Sequence, residues 1–263
     1  MTTSRFDVDP EAGFRVDVAG ALATVTLDRG DRLNCQSPAM WVELARVRAH
    51  LPGTVRVVVL RAEGRAFSAG LDRALLSTDH PDGIQRLPYL PRAEATGRIA
   101  IWQSAFDWNS RPDLVSIAVV HGHAIGGGFQ LALGTDIRIV AQDVQFCMAE
   151  PKLGIVPDLG GTKRLVDLVG YSRAVEICLT GRRIGAQEAL RIGLASTVAS
   201  AEDLEATVDG TVAAILSIDR DAAAETKALL LAAAARTQDE AQAAEREAQY
   251  RRLRTIAGLD AED

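Results

Sequence analysis

Basic excess is missing from this chain. It carries 35 acidic against 29 basic residues, a formal net charge of −6 and a pI of about 5.3. No broad positive surface is therefore expected, which argues against nucleic acid as a partner. Cysteine is also scarce. Cys35, Cys147 and Cys178 are odd in number and far apart, so neither a disulfide framework nor a zinc site is expected, and a reducing compartment fits. Long hydrophobic runs are absent: no apolar stretch approaches the ~18 residues that cross a bilayer, and MTTSRFDVDPEAG at the start has no apolar signal core. The Ala-rich stretch 222–236 is broken by Glu225, Lys227 and Arg236. These absences lead us to expect a soluble cytoplasmic protein with no membrane association.

What is present is a chain of 263 residues, 48% hydrophobic, enough for one substantial core. Residues 21–28 (ALATVTLD) read as a strand. Residues 38–50 read as a helix with Ser37 as N-cap and Pro38 in its first position. RVVVL at 56–60 and the run 115–120 are short and continuously apolar, which suggests strands covered on both faces. Residues 77–97 hold three prolines and two glycines without a period and read as a long loop, with a helix expected over 99–109. A helix at 128–133 and strands at 136–141 and 144–148 follow. An irregular loop is expected at 150–161, then helices near 161–169, 172–180 and 186–193, with two or three more in the last sixty residues. Strand–turn–strand–helix units before a helical tail indicate a layered α/β or β-spiral fold.

The most distinctive stretch is HGHAIGGGFQLAL at 121–133, a turn of three glycines between a strand and a helix. It lacks the G-x-G-x-x-G order of dinucleotide folds and the Gly-Lys-Ser/Thr of a P-loop. Two readings remain. The glycines permit close packing of a tight turn, or their free amides form an oxyanion hole, the helix start favouring negative charge. Such a hole takes a second donor, and the small-residue turn RAFSAGLD at 65–72 offers one. AFSAG also approximates the G-x-S-x-G of serine hydrolases, but Ala66 replaces the first glycine and no histidine follows His123. His121 and His123 read as turn and helix-entry residues.

Four ordered segments resemble the crotonase (enoyl-CoA hydratase/isomerase) superfamily: AFSAGLD at 66–72, HGHAIGGGFQLALGTDIRIVA at 121–141, FCMAEPKLGIVPDLGGTKRL at 146–165 and GRRIGAQEALRIGLASTV at 181–198. The resemblance runs over roughly residues 20–200. It implies a ββα-spiral acyl-CoA-binding core over 1–200, and a C-terminal helical trimerisation region over 201–263. The implied substrate is an acyl-CoA thioester, and the implied assembly a homotrimer or dimer of trimers. By position, Leu71 and Gly127 would supply the oxyanion amides, with Ala69, Gly70 and Asp72 binding the coenzyme portion. No separate cofactor and no metal is implied, since coenzyme A enters as part of the substrate. The resemblance is imperfect at LDRGDRLN (27–34), which lacks the proline common in the family's first turn.

Family hydratases activate one water with two glutamates, and here the two positions are Gln130 and Glu150. Glutamine exchanges no proton near neutral pH, although it can hydrogen-bond in the pocket. Asp158 stands where some family isomerases carry an acid. Glu150 and Asp158 could therefore serve opposite ends of one acyl chain, moving a double bond by proton relay without water. Apolar neighbours Met148, Ala149, Ile155, Val156 and Leu159 would raise the pKa of either acid. The plain alternatives are a loop-surface Glu150 and an Asp158 that caps the helix near Gly161. The sequence thus leads to an enoyl- or dienoyl-CoA isomerase, with a 2-enoyl-CoA hydratase and a non-catalytic acyl-CoA binder as alternatives.

Overall fold

The computed structural model describes residues 4–77, 80 and 83–259. Residues 78, 79, 81 and 82 of the expected loop 77–97 lie outside the described residues, as do the first three and last four of the chain. Its centre is a seven-stranded sheet with the order β1 (Ser4–Arg5), β2 (Phe14–Ala19), β3 (Leu22–Leu27), β4 (Val57–Ala62), β5 (Val115–Val120), β7 (Ile137–Ala141) and β10 (Thr197–Ala199). β2 and β3 form an antiparallel hairpin; β3, β4, β5, β7 and β10 are parallel neighbours. A smaller sheet joins β6 (His123–Ile125), β8 (Gln145–Cys147) and β9 (Ile184–Gly185).

β4 and β5 are covered on both faces, as their continuous apolar character requires. Val58, Leu60 and Ala118 enter the main core with Met40 and Leu44 of α1 (Pro38–His50) and Trp102 of α2 (Arg92–Ser104). On the opposite face Val57, Val59, Ile117 and Ile139 meet Val208 and Val212 of α7 (Leu204–Ser217). Ser37 caps α1 by accepting from the Met40 amide, as expected. The tail contributes α7, α8 (Arg220–Ala233) and α9 (Gln238–Ile256). Lys227 of α8 is buried against the core, its ammonium donating to Asp136 at 2.7 Å.

Two differences from the sequence reading have local causes. β2 was not expected, although Phe14, Val16 and Val18 alternate with Arg15 and Asp17 in the period of a half-buried strand. The loop expected through residue 97 stops early: a 3₁₀ turn occupies Ile84–Tyr89, and α2 begins at Arg92. Pro91 sits just before that helix, where a missing N–H costs nothing, and Glu94 pairs with Arg98 one turn on.

The sheet's order positions the site. The turn leaving β4 lies beside β6: the Phe67 amide donates to the His121 carbonyl and the Ser68 amide to the His123 carbonyl, both at 2.9 Å. β6 in turn pairs with β8, and the Gly126 amide donates to the Cys147 carbonyl at 2.8 Å. Three turns far apart in sequence are thereby stacked side by side.

Candidate active site

The turn after β4 ends in a short parallel bridge between Gln36 and Leu71. The Gln36 amide donates to the Gly70 carbonyl and the Asp72 amide donates to the Gln36 carbonyl, both at 2.8 Å. A parallel bridge of this form uses the groups flanking Leu71 and turns the Leu71 N–H the other way. Gly70 has φ +81°, and a Cβ there would lie 2.4 Å from the Ile125 carbonyl oxygen. Only glycine fits that crossing. On the neighbouring segment, Gly126 (φ +52°) turns the chain into α3 (Gly127–Leu133), leaving the Gly127 amide as an unpaired donor at the helix start. Neither Leu71 nor Gly127 donates its amide to a partner among the described residues. Both line one cavity of about 700 Å³, together with Ala69, Gly70, Asp72 and Glu150.

Glu150 opens the 3₁₀ turn Glu150–Leu153 after β8 and is only 7% exposed. Its Oε1 accepts from Gln130 Nε2 at 2.7 Å, whereas its Oε2 is buried without a hydrogen-bond partner among the described residues. The carboxylate lies against the glycine turn, so that a Cβ on Gly126 would sit 3.1 Å from Oε1. Burial pushes the Glu150 pKa up, and the charge of Asp158 adds to the rise.

Gln130 is fully buried and does not reach the cavity wall. Its Oε1 accepts from the Leu159 amide at 2.9 Å and the Gly161 amide at 3.2 Å, while its Nε2 holds Glu150. Glutamate at 130 could accept from those two amides, but when ionised it has no proton to donate to Glu150. The side-chain amide at this position therefore ties the 150–161 segment to α3 and fixes one carboxylate oxygen of Glu150.

Asp158 is partly buried, and burial raises its pKa. It does not line the 700 Å³ cavity. Its carbonyl accepts from Gln103 Nε2 of α2 at 2.7 Å. It is not a helix cap: Gly160 precedes α4 (Gly161–Val169) with no side-chain cap bond. Of the expected apolar neighbours, Met148 and Leu159 are buried, but Ile155 and Val156 are exposed after the left-handed turn at Gly154. Asp72 accepts from the Ala74 amide at 3.1 Å and pairs with Arg32 at 2.6 Å.

Sequence reasoning passed over the cations on this wall. Arg32, Arg65, Arg73 and Lys152 all line the cavity within a chain of net negative charge. It also passed over Gln36, and weighed Ser68 only as the serine of the hydrolase-like AFSAG; both are fully buried beneath the two glycine turns. Among the described residues no cluster of His, Cys, Asp and Glu could hold a metal ion. His121 bonds the Gly64 carbonyl and His123 meets Arg183, both outside the cavity wall. A second cavity, of about 1430 Å³, lies between α1, α2 and the 84–89 turn and meets the first at Asp72. Trp102 lines it, whereas Phe106 and Trp108 are fully buried in the core.

Two unpaired amides and a buried carboxylate thus share one cavity wall of an α/β protein. The family model for enoyl-CoA hydratase/isomerase matches residues 17–257, and the chain belongs to that family, within the crotonase superfamily. A putative enoyl-CoA hydratase from Thermobifida fusca, solved in complex with acetoacetyl-CoA, is 45% identical with a TM-score of 0.88, covering 92% of this chain and 95% of that one. A probable enoyl-CoA hydratase from Rhodobacter capsulatus is 35% identical over 68% of this chain, which spans 66% of that relative's length. Carnitinyl-CoA dehydratase of Escherichia coli K12 is also 35% identical, over 70% of this chain and 67% of its own length.

Proposed function

We propose that the protein adds water across the double bond of a 2-enoyl-CoA thioester, or removes it in reverse, with Glu150 as the one proton-transferring carboxylate. The reading rests on one arrangement: Oε1 of Glu150 is held by Gln130, Oε2 has no partner, and the same cavity wall carries the unpaired Leu71 and Gly127 amides. Water gives a proton to Oε2 while its oxygen bonds the β-carbon. The electron pair of the double bond moves toward the thioester oxygen, where two amides stabilise the enolate. Glu150 then returns the proton to the α-carbon, so atoms and charge balance. A pKa raised by burial suits a carboxylate that must both take and give that proton. The hydratase and dehydratase names of the relatives support this direction over the isomerisation expected from Asp158. The cationic wall of Arg32, Arg65, Arg73 and Lys152 suits the phosphates of coenzyme A.

One observation keeps the isomerase as a second reading: Gln130 binds both Glu150 and the Leu159 amide next to Asp158, so one brace holds the segment that carries both acids. Incubation with 2-enoyl-CoA and 3-enoyl-CoA separates the two. Hydroxyacyl-CoA formed from the 2-enoyl thioester, and kept in Asp158→Asn, is the expected result. Conversion of 3-enoyl- to 2-enoyl-CoA without hydration, lost in Asp158→Asn, would overturn it. The exposed Leu230, Leu253 and Ile256 of α8 and α9 fit the homotrimer implied by the family, which sedimentation tests.

A further inference from the structure

The geometry points to Gln36 as the residue that positions both oxyanion amides, through a buried polar relay running from Trp41 to Ser68. It deepens the proposed function, because it concerns the same amides. Gln36 is fully buried, as are Ser68 and Asn34, and Trp41 is nearly so. Buried polar side chains persist where every group is bonded, and these are. Trp41 Nε1 donates to Gln36 Oε1 at 2.9 Å, and Gln36 Nε2 donates to Ser68 Oγ at 3.1 Å. Ser68 Oγ donates to the Asn34 carbonyl at 2.7 Å and accepts from the Gly70 amide at 3.1 Å.

Gln36 thus acts on both turns. Its backbone brackets Leu71 through bonds to Gly70 and Asp72. Its side chain reaches the same turn by way of Ser68. Toward the other turn, Gln36 Oε1 packs so closely on Gly127 that a Cβ there would meet it at 2.8 Å. A carbonyl oxygen beside an anion-binding amide would compete for that amide if it were free to turn. The indole N–H of Trp41 occupies it instead, and no hydrogen bond joins it to Gly127. The chain leading into Gln36 is itself held in an uncommon conformation. Leu33 and Asn34 both have positive φ, and Asn34 is fastened by bonds from its Nδ2 to the Glu63 and Ala66 carbonyls and from the Arg29 amide to its Oδ1. Strain held by so many bonds marks a segment whose placement matters. A purely apolar side chain would fill the same space beside α1 and keep the backbone bracket on Leu71, but it would lose the link through Ser68 and the oriented oxygen beside Gly127.

The test uses acetoacetyl-CoA labelled with carbon-13 at its thioester carbonyl, bound to the full-length protein. The shift of that carbonyl's infrared stretch on binding reads polarisation by the two amides and needs no turnover. For Gln36→Met we expect the stretch to move back toward its free position, kcat to fall ~10–100-fold, and the Kd for acetoacetyl-CoA to change less than ~3-fold. Ser68→Ala, which removes the Oγ bonds to Gln36, Asn34 and Gly70 but leaves Gln36 packed on Gly127, should move both in the same direction by less. If Gln36→Met does not fold, Ser68→Ala decides by the same readout. A stretch left at the wild-type position in the folded variant overturns the proposal, whatever happens to turnover. Failure of the hydration reading looks different: Glu150→Gln would leave turnover intact, while the carbonyl shift would still respond to Gln36.

Discussion

At the glycine-rich turns, Gln36, Ser68, Gln130 and Glu150 are buried and bonded to partners from distant parts of the chain. In α8 and α9 the ion pairs reach into water: Arg251 pairs with Glu225 at the surface, and the half-buried Arg252 with the exposed Asp219 and Asp221. Both regions are rich in charge and hydrogen bonds. A partner lost in water is replaced by water, whereas one lost in the interior leaves a desolvated group with nothing to bond. The same chemical change should therefore have large effects at the turns and small ones in the tail.

The greatest effect is expected from Glu150→Gln. Turnover of acyl-CoA should fall about 10²–10⁴-fold, with binding of the thioester retained, as steady-state rates and calorimetry would measure. The same variant should be more thermostable than the parent at neutral pH. Burial holds the folded-state pKa of Glu150 above its unfolded value. Its contribution to stability is therefore complete below the ordinary carboxylate range and is lost as pH rises through the raised value. The advantage of the glutamine variant should vanish toward roughly pH 4; melting curves across that interval giving parallel traces would refute the burial argument.

Lys227 sharpens the contrast, because it lies in α8 yet behaves like a site residue. It is buried, donating to Asp136 and to the Leu114 carbonyl. Lys227→Met should cost about 3 kcal/mol, the scale for breaking a buried pair by removing one partner, readable by denaturant unfolding. Next comes Thr237→Ala at the start of α9, where Thr237 and Glu240 form a reciprocal capping box. Its expected cost is about 1 kcal/mol. Arg251→Ala should come last, with a small change that shrinks further in high salt. If Arg251→Ala matched Lys227→Met in unfolding experiments, the distinction between the two regions would fail.

Much of this is legible in the sequence. Residues 115–120 read as a strand because β-branched residues run without interruption, and 38–50 as a helix because Ser37 and Pro38 mark its start. The amide pair at the two glycine turns was assigned by their resemblance to the crotonase superfamily, because the glycines alone left close packing equally open. The β2 strand was missed despite its alternating pattern. The early start of α2 was masked by Pro88 and Pro91, residues that mark loops and helix starts alike. Gln36 carried no local signal at all.

Local order in the chain determined which segments become strands, helices and tight turns, since periodicity, caps and glycine act over a few neighbours. It also determined that Gly127 opens a helix, where an amide is left unpaired. Tertiary structure alone decided that Gln130 faces inward as a brace, that Glu150 keeps one oxygen without a partner, and that Gln36 touches both turns. Those facts depend on burial and on contacts between residues 20 to 91 positions apart (Gln130 to Glu150, Gln36 to Gly127), and no short-range pattern encodes them.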